Sequence, residues 1–131
     1  MATPINPPAN STYKDYDIAS LEGPILDLAV ANTLGIQVTT NLPTGQSPIS
    51  GVKYYTIGTN GLPQAPFAPS SLWEQGGPLL DQYRISVYDK IKAWASTIRV
   101  GVMLLSTEGK TYLSAGMHAP VSSTYGTTIN M

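Results

Sequence analysis

The sequence contains no cysteine and few charged residues, and these two shortages restrict what the protein can do. Without cysteine the chain forms neither disulfides nor thiolate metal sites, which is consistent with a reducing compartment. Charged residues make up 11% of the 131 residues, and the net charge is −1. The seven Lys and Arg residues are scattered along the chain, whereas non-specific binding of duplex nucleic acid needs several clustered cations. The sequence therefore argues against duplex nucleic acid as a partner.

Long apolar runs are also missing. The longest, near Val100–Leu105, is much shorter than the roughly 20 residues that a transmembrane helix needs. The N-terminal segment Met1–Asn10 is rich in proline and lacks the apolar centre of a signal peptide. We therefore expect no membrane association and a location inside a cell.

The composition otherwise fits one folded domain. Hydrophobic residues account for 42% of the chain, which is enough for one core. The clustered prolines near the start predict an extended N-terminal arm over residues 1–14, followed by a single domain over residues 15–131. A weakly charged free surface is poorly soluble, so we expect part of the surface to be covered in a homo-oligomer.

Apolar spacing and helix-terminal residues predict two or three short helices. The first is expected to begin after a Ser20 cap and to end at Gly35. The others are expected over residues 78–83, with a proline in the first turn, and over residues 112–119, where Pro120 breaks the helix.

Alternating β-branched segments predict the strands. They cover residues 36–40, 52–57, 84–88, 94–100 and 101–105, with a helical alternative for residues 90–96. The segments rich in proline and glycine, residues 41–51 and 58–69, are interpreted as loops, and Glu108-Gly109 as a turn. The predicted fold class is α+β: a small, mostly antiparallel sheet packed with two or three short helices in a single domain.

The segment Ser70–Leu80 combines a large aromatic residue, an amide and two adjacent glycines before a predicted helix. In a binding site Trp73 would stack on a base and Gln75 would read its edge. The backbone N–H groups of Gly76 and Gly77 would approach a phosphate at the helix start. The alternative is a tight turn in which Trp73 packs in the core and the glycines supply positive φ angles.

Other candidate ligand-binding residues are isolated in the sequence. Arg84 is suited to neutralise a phosphate, against the alternative of a solvated surface charge. His118, the only histidine, and Tyr125 are candidate ligand contacts from a neighbouring subunit, against the alternative of purely structural roles. A single histidine without a cluster of acidic residues does not make a metal site, and no Gly-x-Ser-x-Gly elbow supplies a nucleophile. We therefore expect a binding protein without metal or cofactor, and not an enzyme.

Several blocks of the sequence resemble the NinX-like proteins of tailed phages. Leu26–Ala31 with Leu34-Gly35 resembles the first helix of that family, and the Trp-x-Gln-Gly-Gly-Pro block at residues 73–78 is the most specific match. Trp94-Ala95 and residues 113–126 match more weakly. Together the blocks are spread over most of the chain.

The chain departs from the family pattern at three positions. Leu72 stands where the family usually has an acidic residue, and His118 where it usually has an arginine. Pro120 interrupts a helix that continues in relatives. These departures leave open whether the C-terminal helix contacts a ligand in this chain.

The resemblance implies a small phage accessory protein in the cytoplasm of the bacterial host, and it implies no reaction. By analogy with other small phage proteins, the hypothesis is a counter-defence protein that sequesters a nucleotide-derived immune signal as a homo-oligomer, without catalysis. The alternative is a module that binds a host or phage replication, recombination or defence protein. A third reading, an enzyme that degrades the signal, lacks evident metal ligands and a poised base.

Overall fold

The computed structural model describes residues 5–6 and 12–131, over which the chain forms three α-helices and three small antiparallel sheets. The helices are α1 (Gly23–Leu34), α2 (Trp73–Gln82) and α3 (Tyr112–Tyr125), with a 3-10 turn at Ile18–Ser20. The strands are β1 (Asp15–Asp17), β2 (Val38–Thr39), β3 (Tyr54–Ile57), β4 (Pro63–Phe67), β5 (Ser86–Lys90), β6 (Ala93–Val100), β7 (Met103–Gly109) and β8 (Thr128–Asn130). They pair in the orders β1-β8, β2-β3-β4 and β5-β6-β7. The predicted α+β fold class is confirmed, with its sheet divided into three.

Helix α3 lies at the centre of the fold. Its start is closed by a capping box, in which Thr111 Oγ1 accepts from the Ser114 N–H and Ser114 Oγ accepts from the Thr111 N–H, both at 3.0 Å. The helix is buried over most of its length between the sheet β5-β6-β7 and α1. A Cβ on Gly109 would lie 2.4 Å from the Ala115 backbone nitrogen, so glycine is needed where β7 and α3 meet.

The predicted helix break at Pro120 is wrong, because α3 continues to Tyr125. A proline inside a helix removes one backbone hydrogen bond and costs about 3 kcal/mol in an isolated helix. Here Pro120 is fully buried, together with Met117 and Val121. Packing of the whole helix therefore outweighs the local preference for a break.

Helix α1 matches the sequence prediction in extent but not in its cap. It ends at Gly35, whose φ of 74° is the left-handed conformation that glycine adopts without strain. Ser20 does not cap it, because its Oγ donates to the Asp17 carbonyl oxygen at 2.7 Å and closes the 3-10 turn. Glu22 stands at the N-cap position instead, with Pro24 in the first turn.

Strand β4 lies within a segment that the sequence predicts as a loop. Its two prolines, Pro63 and Pro66, have no backbone N–H, so the segment carries turn signals rather than a strand pattern. It still pairs antiparallel with β3, with an irregularity between Tyr55 and Ile57. As an edge strand, β4 needs hydrogen bonds on only one side, and proline is tolerated there.

The sheet β5-β6-β7 contains the two longest strands of the described chain. Strands β6 and β7 pair around a turn at Gly101-Val102. The helical alternative for residues 90–96 is therefore wrong, and Glu108-Gly109 forms the end of β7 rather than a turn. Strand β5 begins at Ser86, two residues later than expected, because Arg84 is in a turn.

The ends of the described chain are held by hydrogen bonds. Strand β1 pairs with β8, and the N–H groups of Lys14 and Met131 each donate to the carbonyl oxygen of the other at 2.9 Å. Asn6 is buried, where its Nδ2 donates to Asn32 Oδ1 at 2.8 Å and its Oδ1 accepts from the Val38 N–H at 2.9 Å. Most of the predicted arm lies outside the described residues, so the arm and its boundary with the domain stay predictions.

Candidate functional site

Helix α2 contains the predicted binding residues Trp73, Gln75, Gly76 and Gly77. It begins at Trp73, ahead of the expected start at Pro78, so Gly76 and Gly77 lie inside the helix. The Gly76 N–H donates to the Leu72 carbonyl oxygen at 2.9 Å. The expected helix start with free glycine amides is therefore not formed. Two glycines and a proline are poor helix formers, which explains why the sequence suggests a later start.

The inner face of α2 holds Gly76 and Gln75 against the chain that leaves β4. A Cβ on Gly76 would lie 2.2 Å from the Pro69 carbonyl oxygen, so only glycine allows this close approach. Gln75 Oε1 accepts from the Ala68 N–H at 2.8 Å, and Gln75 Nε2 donates to the Pro66 carbonyl oxygen at 2.7 Å. Both residues thus fix α2 to its neighbour.

His118 lies midway along α3 and is buried, with 1% of its surface exposed. Its Nε2 lies 2.5 Å from the Leu21 carbonyl oxygen, and its Nδ1 contacts the Glu108 carbonyl oxygen. The ring therefore joins α3 to the end of β7 and to the chain that enters α1, and both ring nitrogens face backbone groups of the protein.

Tyr125 is also part of the core. Its hydroxyl donates to the Asn32 carbonyl oxygen at 3.3 Å, and burial raises the pKa of this hydroxyl above its ordinary value. Gln75, His118 and Tyr125 thus direct their polar groups into the fold. Ligand contact through these residues stays a prediction, and it would require these internal hydrogen bonds to open.

Asp27 is a buried carboxylic acid on the apolar helix α1. Its Oδ1 accepts from the Ser70 N–H at 2.8 Å, while its buried Oδ2 has no partner among the described residues. Burial is the main cause that raises the pKa of this carboxyl from 3.8 to about 6, against the lowering effect of the Ser70 hydrogen bonds. The acid therefore links α1 to the segment before α2 and does not face solvent.

Three of the predicted site residues meet at the surface of the protein. Trp73, Gly77 and Arg84 line an open depression of about 770 Å³. The other lining residues are Leu80, Asp81, Gln82, Ile85, Ser86 and Tyr112. We refer to this surface as the aromatic depression.

Two aromatic side chains form one wall of the aromatic depression. Trp73 is 60% exposed, and its ring centroid lies 5.7 Å from that of Tyr112, with an angle of 47° between the rings. Tyr112 in turn packs edge-on against Trp94 at 5.3 Å. Gly77 follows Trp73 by one helical turn, and a Cβ there would lie 3.1 Å from the indole ring. Glycine at this position therefore leaves room for the exposed ring.

The positive charge of the aromatic depression comes from Arg84, in the turn after α2. Its φ of 53° is the only positive φ outside glycine among the described residues. This conformation costs a non-glycine residue roughly 1–2 kcal/mol, and such strain clusters at functional sites. The one ion pair within the described chain joins Lys90 and Glu108, so the Arg84 guanidinium is available to an external anion.

A second concavity, of about 430 Å³, lies beside the outer edge of β7. Asp17 and Glu108 line it, and the His118 ring that reaches it is bonded internally. The lining of this concavity has these two carboxylates and no Lys or Arg, whereas the aromatic depression has one carboxylate, Asp81, beside Arg84. The aromatic depression is therefore the better candidate for a flat anion. Within residues 5–6 and 12–131, no three His, Asp or Glu side chains are placed to hold a metal ion.

Neither Tyr112 nor Trp94 is among the ligand-binding residues predicted from the sequence. Both are far from Trp73 in the sequence and are brought to it by the packing of α2 and β6 on α3. Their aromatic character is the only local signal, and aromatic residues are more often core residues than ligand contacts.

The fold and the aromatic depression define a class of protein: a small α+β domain with two exposed aromatic rings beside a cation in an open depression. No helix in the described part of the chain is long and apolar enough to cross a bilayer. The family model described as Bacteriophage P22, NinX matches residues 17–124, and the chain therefore belongs to this family of phage proteins. The match confirms the NinX-like resemblance of the sequence blocks. No individual curated protein matches the chain significantly.

Proposed function

We propose that this phage protein binds a nucleotide-derived signalling molecule of a bacterial defence system and sequesters it, without catalysis, in the host cytoplasm. The observation that carries the proposal is the aromatic depression, where exposed Trp73 and Tyr112 stand beside Arg84. A flat base and an anionic phosphate are the two parts of a ligand that this pair of features would recognise.

The two aromatic rings offer a stacking surface for a base. Stacking of a base on an aromatic side chain contributes about 1–3 kcal/mol and tolerates different bases. Trp73 is the main platform because it is 60% exposed, against 37% for Tyr112. The 47° angle between the rings means that a base lying flat on Trp73 meets Tyr112 obliquely.

The polar rim of the aromatic depression suits the rest of a nucleotide. The Arg84 guanidinium can form paired hydrogen bonds with a phosphate. Gln82 and Ser86 supply neutral donors, and Asp81 can accept hydrogen bonds from ribose hydroxyls. The volume of about 770 Å³ falls within the range of about 300–1,000 Å³ that is typical of small-molecule sites.

Sequestration needs only affinity and abundance. A protein that is in excess over the signal, and binds it below the threshold concentration of the defence effector, keeps the free signal low by mass action. A weakly charged surface also favours a homo-oligomer, which would carry several binding sites in one particle.

Native mass spectrometry of the purified protein, mixed with cyclic nucleotides and ADP-ribose derivatives, tests this function. We expect one class of compound to remain bound with its mass unaltered, and to be released intact by heat denaturation. Release of a chemically altered compound would contradict sequestration and indicate an enzyme.

Two substitutions test whether the aromatic depression is the binding site. We expect Trp73→Ala and Arg84→Gln each to weaken binding about tenfold or more, because each removes roughly 1–3 kcal/mol of stacking or charge-assisted hydrogen bonding. Tyr88→Ala and Lys92→Gln are matched controls: both residues are exposed, and neither lines the depression. Equal losses in the controls would place the ligand elsewhere.

The alternative function is a module that binds a replication, recombination or defence protein. The exposed segment over residues 40–53, which forms no helix or strand, is the observation that favours it, since long loops of this kind often bind partners. Absence of every nucleotide adduct on a folded protein would favour this alternative, which affinity capture from host lysate would then test.

A further inference from the structure

The aromatic depression contains one positive and one negative side chain. Among the described residues that line it, Arg84 is the only Lys or Arg and Asp81 is the only Asp or Glu. Both side chains are exposed. They are not paired with each other, because the one ion pair of the described chain joins Lys90 and Glu108. A ligand in the depression therefore meets a single cation beside a carboxylate that this cation does not neutralise.

The aromatic wall of the depression offers one platform for a base. A base held between two rings needs those rings to be parallel, whereas the rings of Trp73 and Tyr112 are inclined by 47° with their centroids 5.7 Å apart. Tyr112 also packs edge-on against Trp94. One base can therefore lie flat on the more exposed Trp73, with Tyr112 at its border.

The platform, the carboxylate and the cation follow one another along α2 and the turn after it. The indole of Trp73 lies beside Gly77, where a Cβ would be 3.1 Å from its Nε1 and Cε2 atoms. Asp81 follows Gly77 by four residues, or about 6 Å along the helix axis, and Arg84 lies in the turn that follows the helix. A nucleotide has its base, ribose and phosphate in the same order, so one nucleotide matches this series of side chains.

The number of phosphate charges decides which nucleotide this site favours. A phosphodiester carries one negative charge, whereas a phosphomonoester carries about −1.5 to −2 at pH 7. Each charge beyond the first has no second Lys or Arg in the described lining to pair with, and it lies near Asp81. Gln82 and Ser86 can donate hydrogen bonds to phosphate oxygens but do not neutralise them. Like charges that are brought together in a binding site weaken binding, so a single phosphodiester is favoured.

We propose that the ligand of the aromatic depression is a nucleoside 3′,5′-cyclic monophosphate. Its base stacks on Trp73, its free ribose 2′-hydroxyl donates to Asp81, and its one phosphodiester charge is held by Arg84. This class of compound has one base, one phosphate charge and a free ribose hydroxyl, and each of the three has one matching side chain. The inference rests on the proposed function, because it narrows the ligand of the same site.

Isothermal titration calorimetry with matched compounds tests the inference. For each common base, the 3′,5′-cyclic monophosphate is compared with the 5′-monophosphate and the 5′-triphosphate, and the series includes ADP-ribose and a cyclic dinucleotide. The buffer contains no divalent cation, because Mg²⁺ binds phosphates and would offset part of their charge. We expect at least one cyclic monophosphate to bind at least about tenfold more tightly than every compound with more negative charge.

Two results would overturn the inference, and they differ in what they mean for the proposed function. Equal or tighter binding of a triphosphate, ADP-ribose or a cyclic dinucleotide would exclude a ligand with a single charge, while sequestration of a nucleotide would stand. Absence of binding by every compound, on a protein that circular dichroism shows to be folded, would overturn the inference and the proposed function together.

Asp81→Asn tests whether the carboxylate contributes to this selectivity. The substitution removes the negative charge and keeps an oxygen that accepts from a hydroxyl. We expect the Kd for the triphosphate to fall at least about fivefold and that for the cyclic monophosphate to change less than about threefold, so the preference narrows. Asp89→Asn is the matched control, since Asp89 is exposed in β5 and does not line the depression, and it should leave the preference unchanged. An unchanged preference in Asp81→Asn, or equal narrowing in both variants, would overturn the role of the Asp81 charge in selecting the ligand.

Discussion

On the inner side of the α2–α3 pair, Gln75 and His118 bond to backbone groups of neighbouring segments, whereas on the outer side Trp73 and Tyr112 meet solvent. Two consecutive glycines lie on these two sides, Gly76 on the inner side and Gly77 on the outer side. A side chain at Gly76 would meet a backbone oxygen at 2.2 Å, while one at Gly77 would meet a movable ring at 3.1 Å. The comparison teaches that the stability of this protein and its proposed binding can be changed independently, through residues that are adjacent in the sequence.

The largest expected effect is the loss of stability in His118→Ala on the inner side. The substitution leaves the Leu21 and Glu108 carbonyl oxygens without their ring partner. It also creates a cavity in the core between α3 and these two segments. We expect the free energy of unfolding to fall by about 3–5 kcal/mol, measured by urea denaturation. Thr124→Ala, at an exposed position of the same helix, should change it by less than about 0.5 kcal/mol. Similar effects of the two substitutions would remove the distinction between the sides.

The paired substitutions Gly76→Ala and Gly77→Ala test the comparison within one helical turn. Gly76→Ala forces α2 away from the Pro69 carbonyl oxygen, and we expect a loss of about 3 kcal/mol. Gly77→Ala should change stability by at most about 1 kcal/mol in either direction, because the gain in helix propensity offsets a shift of the Trp73 ring. Thermal and urea denaturation of both variants provide the measurement, and the reverse order would be inconsistent with the packing described here.

Asp27→Asn tests how the ionisation of a buried carboxyl makes the free energy of unfolding depend on pH. The pKa of the Asp27 carboxyl in the folded state, about 6, is above the ordinary value of 3.8. Its contribution to stability is therefore fully present below about pH 3.8 and is lost as the pH rises through about 6. We expect the wild type to lose about 2–3 kcal/mol relative to Asp27→Asn between pH 4 and pH 7.5.

The measurement for Asp27 is a series of urea denaturations across this pH range. Asp27→Asn keeps an oxygen that can accept from the Ser70 N–H. The difference between the two pH profiles therefore comes from ionisation of the Asp27 carboxyl. Parallel pH profiles for the two proteins would show that Asp27 ionises as freely in the folded protein as in the unfolded one.

Trp73→Ala on the outer side is expected to have little effect on stability. Trp73 is 60% exposed, so we expect a loss of less than about 1 kcal/mol in the free energy of unfolding. The same substitution should abolish most nucleotide binding, because it removes the main stacking platform of the aromatic depression. Differential scanning fluorimetry with and without a bound nucleotide would show both results in one experiment. A large loss of stability without ligand would mean that the indole belongs to the core.

Local signals in the sequence predict the parts of the fold that local interactions determine. The start and end of α1 follow from Pro24 and Gly35. Two β segments are predicted where β6 and β7 lie, although Gly101, predicted as the first residue of the second segment, falls in the turn between them. The errors fall where distant contacts outweigh local preference. Pro120 is accommodated because the whole of α3 is buried, and Pro63 is accommodated because β4 is an edge strand.

The candidate site divides in the same way. Trp73, Gly77 and Arg84 lie within 12 residues of one another, and their meeting in the aromatic depression follows from α2 and the turn after it. Tyr112 reaches the same surface only through the packing of α3, which no local pattern encodes. His118 attracts attention in the sequence as the only histidine, but its partners lie 97 and 10 residues away. A rare polar residue therefore indicates a constrained position without distinguishing a ligand contact from an internal bond.

The pairing of β1 with β8 has a consequence for the connectivity of the polypeptide. Because Lys14 and Met131 are hydrogen-bonded neighbours, the path of residues 14–131 closes on itself, so these elements could follow one another along the sequence in a different order. A circular permutant of residues 14–131, joined by a short flexible linker and opened at the exposed turn between β5 and β6, should retain the arrangement of these elements. It would lack the hydrogen bonds of Asn6 to Asn32 and Val38. Reporter domains could then be attached at that turn, at the opposite end of the sheet from the turn between β6 and β7.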